Sequence, residues 1–178
     1  MIRMDNVSVD CIQGDISKQE DVEAVVNAAN AQLQSGGGVA GAIHNAAGPG
    51  LAEECKSMAP IAPGEAVISG AHDLPNEYVI HCLGPVYGQD EPSDELLANC
   101  YVNALQLAEE HSVSSVAFPA ISTGIFGYPM KEAANVAFST IKDITPNLNS
   151  VKVIRFVLYS QSDLELHRQV MNEVFGQD

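Results

Sequence analysis

Two loops hold the residues best suited to chemistry. In the first, the apolar pair Val25-Val26 leads into Asn27-Ala28-Ala29-Asn30, and Ser35-Gly36-Gly37-Gly38-Val39-Ala40-Gly41 follows before an Ala/Ile-rich stretch closed by Gly48. Glycines let main-chain N–H groups approach a ligand without Cβ interference, and the start of a helix carries roughly half a positive charge. This loop is suited to an anion. The second loop, Ala117-Phe118-Pro119-Ala120-Ile121-Ser122-Thr123-Gly124-Ile125-Phe126-Gly127-Tyr128-Pro129, also follows a strand-like run and precedes a helical pattern. Two such loops at one sheet edge can grip a diphosphate from both sides, where open α/β sheets bind ligands. Neither contains the lysine that a Walker-type loop uses for β and γ phosphates, which argues against triphosphate hydrolysis.

Other motifs carry less. Gly36-x-Gly38-x-x-Gly41 formally satisfies the dinucleotide fingerprint, but about eight residues separate it from the preceding strand and no acid stands about 20 residues on to hold a ribose. Ala120-x-Ser122-x-Gly124 resembles a nucleophile elbow, with Asp163 and His167 in the α/β-hydrolase order. Those two residues, however, open a helix expected to pack on the sheet, and the chain is short for that fold. His81, in a fully apolar run, reads as buried and neutral. His72, His111 and His167 show no ligand spacing with each other or with cysteine, so no metal is expected.

The loops need a scaffold. Short runs rich in β-branched residues occur around Val7 to Ile12, Ala24 to Val26, Ala66 to Ser69, Tyr78 to Leu83, Val113 to Phe118 and Val151 to Tyr159. They are apolar on both alternating faces, as in a sheet covered on both sides, and predict about six buried strands. Helical patterns lie between them: Glu95 to Glu110 after Pro92-Ser93, Lys131 to Lys142 closed by Pro146, and a last helix whose Ser162 and Glu165 have capping-box spacing. Alternating strands and helices, with no repeat or linker and with Gly88 to Asp94 as a surface loop, predict one three-layer α/β/α sandwich.

Composition agrees. The 178 residues are 46% hydrophobic and 17% charged, the balance of a compact globular domain. A net charge of −15 disfavours general nucleic-acid binding and anionic bilayers. Four dispersed cysteines, Cys11, Cys55, Cys82 and Cys100, and no apolar run near the roughly 20 residues that cross a bilayer point to a cytoplasmic protein with free thiols and no membrane span.

Taken in order, Gly14-Asp15-Ile16, Asn27-Ala28-Ala29-Asn30, Gly36-Gly37-Gly38-Val39, Gly64-Glu65-Ala66, Tyr78-Val79-Ile80-His81, Gly84-Pro85 and Ser122-Thr123-Gly124-Ile125-Phe126-Gly127-Tyr128-Pro129 resemble the macrodomain family over nearly the whole chain. The resemblance implies a single macrodomain over residues 1–178, with a mixed, mostly parallel sheet. It is closest to the MacroD-type branch, whose members remove ADP-ribose from modified acidic side chains and deacetylate O-acetyl-ADP-ribose. It further implies a monomer without a cofactor, whose partners are ADP-ribose, O-acetyl-ADP-ribose and mono-ADP-ribosylated proteins.

Position by position, the resemblance implies that Asp15 accepts the adenine amino group, Ile16 lies against the base and Tyr159 stacks on it. Asn30 would bond the distal ribose hydroxyls, and Asn27 would fix the loop. Main-chain amides of Gly37, Gly38 and Val39, and of Ser122, Thr123, Gly124, Ile125 and Phe126, would bind the diphosphate and distal ribose, with the Phe126 ring beside that ribose. Ala40 departs from the branch, where an aspartate usually stands and is proposed to act on the attacking water. Gly-Gly-Gly-Val-Ala-Gly also resembles the loop of coronaviral macrodomains, which hydrolyse mono-ADP-ribose without that acid by holding a water between a phosphate oxygen and the ribose. Three functions therefore share the expected cleft: an ADP-ribosyl hydrolase with Asn30, Phe126 and, one helical turn after Ala40, His44 as its catalytic candidates; a reader that leaves ADP-ribose intact; and an ADP-ribose 1″-phosphate phosphatase. His44 either orients the water or bonds the loop.

Overall fold

The computed structural model describes residues 1–176. Seven strands, β1 (Ile2–Met4), β2 (Val7–Gln13), β3 (Ala24–Ala28), β4 (Ala66–Gly70), β5 (Tyr78–Cys82), β6 (Ser115–Phe118) and β7 (Val153–Leu158), form one sheet in the order β1-β2-β7-β6-β3-β5-β4. The four inner pairings are parallel, while β1 on β2 and β4 on β5 are antiparallel. The sheet is thus mixed and mostly parallel, with one strand more than the apolar runs indicate. The addition is β1, a three-residue strand in a tight hairpin that pairs Met4 with Val7 and turns through Asp5 at φ +55.

Five helices cover the sheet: α1 (Gly38–Ala47), α2 (Gly50–Cys55), α3 (Ser93–Glu110), α4 (Met130–Ile144) and α5 (Gln161–Val174). Because β-strand side chains alternate, the inner strands feed two cores. Val25, Val79, Ala117 and Val157 face α1 and α2. Val26, Ile80, Phe118 and Phe156 face α3, α4 and α5. On that second side the Phe118 and Phe156 rings stack with centroids 5.6 Å apart, and Phe138 of α4 lies 4.8 Å from Phe156. Such pairs add about 0.5–1.5 kcal/mol each beyond burial.

The helix ends follow local chemistry. Gly48 stops α1 at φ +85, its N–H donating to the His44 carbonyl at 3.0 Å. Pro146 limits α4, whose last turn tightens into a 3-10 turn over Thr145–Asn147. The cap of α5 is Ser160, whose Oγ accepts from the Asp163 amide at 3.1 Å. The expected Ser162 lies inside the first turn instead, since its capping-box spacing is shifted two residues from the true boundary. Among the described residues no helix is long and apolar enough to cross a membrane.

This topology creates the site. Strands β3 and β6 are neighbours, but β3 continues toward α1 on one face and β6 toward α4 on the other. Where adjacent strands send their connections to opposite faces, a crevice opens beyond their carboxyl ends.

Candidate functional site

A cleft of about 510 Å³ occupies that crevice. Asn30 and Gly36 to Ala40 line one side, Ala120 to Phe126 the other, with Ala28, Gly84 and Leu158 between them and Tyr159 and Asp163 at one end. The two loops singled out from the sequence thus meet at one site.

The first loop is held by Asn30. Its Nδ2 donates to the Gln34 carbonyl at 2.8 Å and its Oδ1 accepts from the Gln34 amide at 3.0 Å. The side chain clamps the turn, yet keeps a second N–H and a second lone pair for a ligand. Gly38 takes φ +56, a region costly for residues with a Cβ. Gly41 is required for another reason: a Cβ there would collide with the Gly36 carbonyl oxygen, which folds back over the helix. The amides of Gly37, Gly38 and Val39 open α1 and have no hydrogen-bond partner among the described residues.

The second loop is a stack of turns. The Tyr128 amide donates to the Ser122 carbonyl at 2.9 Å, the Gly127 amide to the Gly124 carbonyl at 3.0 Å, and the Tyr87 amide to the Phe126 carbonyl at 2.9 Å. Ser122 sits at φ +69 and packs so closely on Gly84 that any Cβ on Gly84 would strike its hydroxyl. Thr123 is turned inward, its hydroxyl donating to the Ala120 carbonyl at 2.8 Å and its amide reaching the same oxygen at 3.4 Å. The amides of Ser122, Gly124, Ile125 and Phe126 have no partner among the described residues. The Phe126 ring is half-buried against the α1-side core, while Ile125 is 98% exposed.

At the far end, Tyr159 is 56% exposed and lines the cleft. Partial burial, and then the Asp15 carboxylate, raise its phenol above the ordinary value. Asp15 caps the turn Ile16–Lys18, Oδ1 accepting from the Ser17 hydroxyl at 2.6 Å and the Ser17 amide at 2.9 Å. Those two bonds, the hydroxyl's first, hold its carboxyl below the usual range. Asp15 does not itself line the cleft.

Three more expected residues lie outside the cleft. Ile16 is 1% exposed, its side chain packed into the α1-side core rather than along the cleft, because it follows the cap and turns inward with the 3-10 turn. Asn27 is fully buried in β3, its Nδ2 3.1 Å from His81 Nδ1, so it anchors the sheet instead of touching the loop. His44 does not line the cleft: its place four residues after Ala40 carries it about 6 Å further along the helix axis. It is buried there with its ring centroid 6.5 Å from that of His81, and burial lowers its pKa.

Beneath the cleft runs a directional polar chain. Asn27 donates to His81 Nδ1, which requires the proton on Nε2; Nε2 lies 2.9 Å from Ser69 Oγ, and that hydroxyl donates to the Gly70 carbonyl at 3.0 Å. Burial, then the neighbouring His44, push the His81 pKa down to about 3, so the ring is neutral.

The triad alternative fails on geometry. Ser122 Oγ is buried without a hydrogen-bond partner, while His167 Nδ1 lies 2.8 Å from the Asp163 main-chain oxygen and packs near Phe138 and Phe156. Among the described residues no base lies within hydrogen-bond distance of the hydroxyl. Gly84 and Asp163 also line the cleft, the first with no expected role and the second expected only as the acid of a triad. The first appears in the sequence only as Gly84-Pro85 after a strand, and the second reaches the cleft through the placement of α5 beside β7, which no local pattern encodes.

Comparison with known proteins places this geometry. The Macro domain family model matches residues 26–137. A Macro domain-containing protein of Chlorobaculum tepidum is 44% identical over 168 residues, covering 94% of this chain and 97% of its own. The Homo sapiens ADP-ribose glycohydrolase MACROD2 is 46% identical over 173 residues, which is 96% of this chain and 40% of that protein. Among solved structures, the Oceanobacillus iheyensis macrodomain with ADP superposes with a TM-score of 0.93 at 38% identity, covering 98% of this chain and 95% of the other. A mutant of it with ADPR gives 0.94 at 36% identity, covering 99% and 98%. By its sequence, its sheet and its cleft, the chain belongs to the Macro domain family.

Proposed function

We propose that this chain, as a single macrodomain, binds ADP-ribose in the cleft and hydrolyses the ester at the distal ribose, releasing a protein carboxylate or the acetate of O-acetyl-ADP-ribose. The observation that carries the reading is the pair of loops with unpartnered amides facing one another across one cleft. The net charge of −15 does not oppose it, because amide dipoles act at about 3 Å whereas distant charge is screened over roughly 8 Å. The relative named ADP-ribose glycohydrolase and the solved relatives with ADP and ADPR support the same ligand class.

In this reading the adenine stacks on Tyr159, and the Asp15 carboxylate accepts from its amino group. The Gly37 to Val39 amides and those of Ser122 and Gly124 to Phe126 take the pyrophosphate and the ribose beyond it. Asn30, already fixed by Gln34, spends its remaining N–H and lone pair on the ribose hydroxyls, and the Phe126 ring holds the reacting carbon. Ala40 is buried beside the cleft and supplies no base. A substrate phosphate oxygen therefore receives the proton of the attacking water, and positioning provides most of the rate. His44 supports α1 from below.

Ala40 equally favours a second reading, a module that holds ADP-ribose without cleaving it. Incubation with O-acetyl-ADP-ribose and with a glutamate-modified protein separates the two. Turnover that disappears in Asn30→Ala supports the hydrolase, and tight binding without turnover supports the reader. Calorimetry should show ADP-ribose bound more tightly than AMP; equal affinities would remove the second phosphate and distal ribose from the contact.

A further inference from the structure

Strand β4 ends the sheet opposite β1, and a groove of about 480 Å³ runs along its open edge, separate from the cleft. One wall is apolar, formed by Met58, Pro60 and Ile61, and the other, from α3, sets Leu107 among the polar side chains of Asn103, Gln106 and Glu110. The floor is Ala66 and Val67, at the start of β4. Its pairing phase is set by the Leu83 amide, which donates to the Glu65 carbonyl at 3.1 Å; Val67 and Ser69 therefore exchange bonds with β5, and Ala66 and Ile68 point their N–H and C=O groups outward. The next outward amide, Gly70, is capped by Glu54 Oε2 at 3.2 Å. Ala66 and Ile68 have no such cover among the described residues.

We propose that this groove docks an extended, basic peptide segment of a partner protein by adding it as a strand to β4. An uncovered edge between one apolar wall and one polar wall offers main-chain bonds and side-chain contacts together, the arrangement by which sheets capture extended peptides. Charge selects the occupant. Glu65 and Glu110 line the groove, and the molecule carries −15, so a second copy of this chain is repelled while Lys or Arg side chains are drawn in. The inference is independent of the cleft and of its ligand.

The test is fluorescence anisotropy with a labelled seven-residue peptide alternating lysine and valine, titrated into the intact protein. The peptide binds, its glutamate-valine counterpart does not, and saturating ADP-ribose leaves the affinity unchanged. N-methylation of the alternate residues that face β4 abolishes binding, whereas N-methylation of the other set does not, a contrast that needs no altered protein. The double variant Glu65→Gln/Glu110→Gln weakens binding about ten-fold or more. Equal binding of the two N-methylated peptides, competition by ADP-ribose, failure of the basic peptide to bind, or a dimer in sedimentation that buries β4 would each overturn the proposal.

Discussion

Replacing Gly38 by alanine probes whether the first loop is shaped for its ligand by the backbone alone. Gly38 sits at φ +56, and a Cβ built there meets nothing within 4 Å, so the perturbation is purely conformational. The left-handed region costs an L-residue about 1–2 kcal/mol. The variant can retain that conformation and lose this amount in stability, or relax to negative φ and turn the Gly38 and Val39 amides away. A relaxed loop must be driven back by the ligand, which lowers affinity by about 5- to 30-fold. Gly88→Ala is the matched control, with φ +78, open space around its Cβ and no place in the cleft. Titration calorimetry with ADP-ribose and thermal melts on both variants give the two components. For Gly38→Ala, the stability and affinity losses together should come to about 1–2 kcal/mol. Gly88→Ala should show only the stability loss. A Gly38→Ala protein unchanged in both would refute the strain argument. A loss beyond about 100-fold would assign the effect to a collision with the ligand rather than to the backbone.

Two further perturbations test the scaffold. His81 has a pKa near 3 in the fold against about 6.5 when unfolded, so below pH 6.5 the unfolded chain binds the proton first and stability falls with pH, by at most about 1.4 kcal/mol per pH unit for this ring. Urea titrations from pH 7 to pH 5 should show a steeper fall in the parent protein than in His81→Gln, the difference being this ring's share on top of that of the other buried histidines, His44 and His167; identical slopes would mean that the ring is not buried neutral. The Glu109 carboxylate accepts from the amides of Asn149 at 2.8 Å, Ser150 at 2.9 Å and Val151 at 2.7 Å, just before β7. Glu109→Gln should cost about 1–3 kcal/mol, read as a lowered melting temperature, and an unchanged one would contradict the role.

The elements most legible in the sequence were those whose burial imposes a pattern. Helix α3 carries Leu97, Cys100, Tyr101, Ala104, Leu105 and Ala108 on a buried stripe, so its period declared it. Strand β1 and helix α2, of three and six residues, are too short for any period to register, and their existence depends on partners distant in sequence. In the candidate site, the glycine loops were visible because backbone approach demands those residue types. Asn30 was recognisable as a polar residue at a strand end, but its clamp on Gln34 was not. His44 and Ile16 illustrate the opposite error: each lies within four residues of a position expected to meet the ligand, and each is carried inward by the helical turn it belongs to. Side-chain direction at such points is decided by tertiary packing, not by spacing.

The two jaws of the cleft are rooted in different foundations. The Gly36 to Ala40 jaw grows from the layer built on Ile43, Leu51 and Val79, and the Ser122 to Phe126 jaw, apart from the Phe126 ring that leans on that same layer, leads into α4, seated in the aromatic layer of Phe118, Phe138 and Phe156. Since the sheet insulates one layer from the other, a cavity cut into the aromatic layer should loosen the grip on one side of a bound anion while its opposite neighbour stays rigid. The separation gives selection two handles on a single pocket, one for each lip.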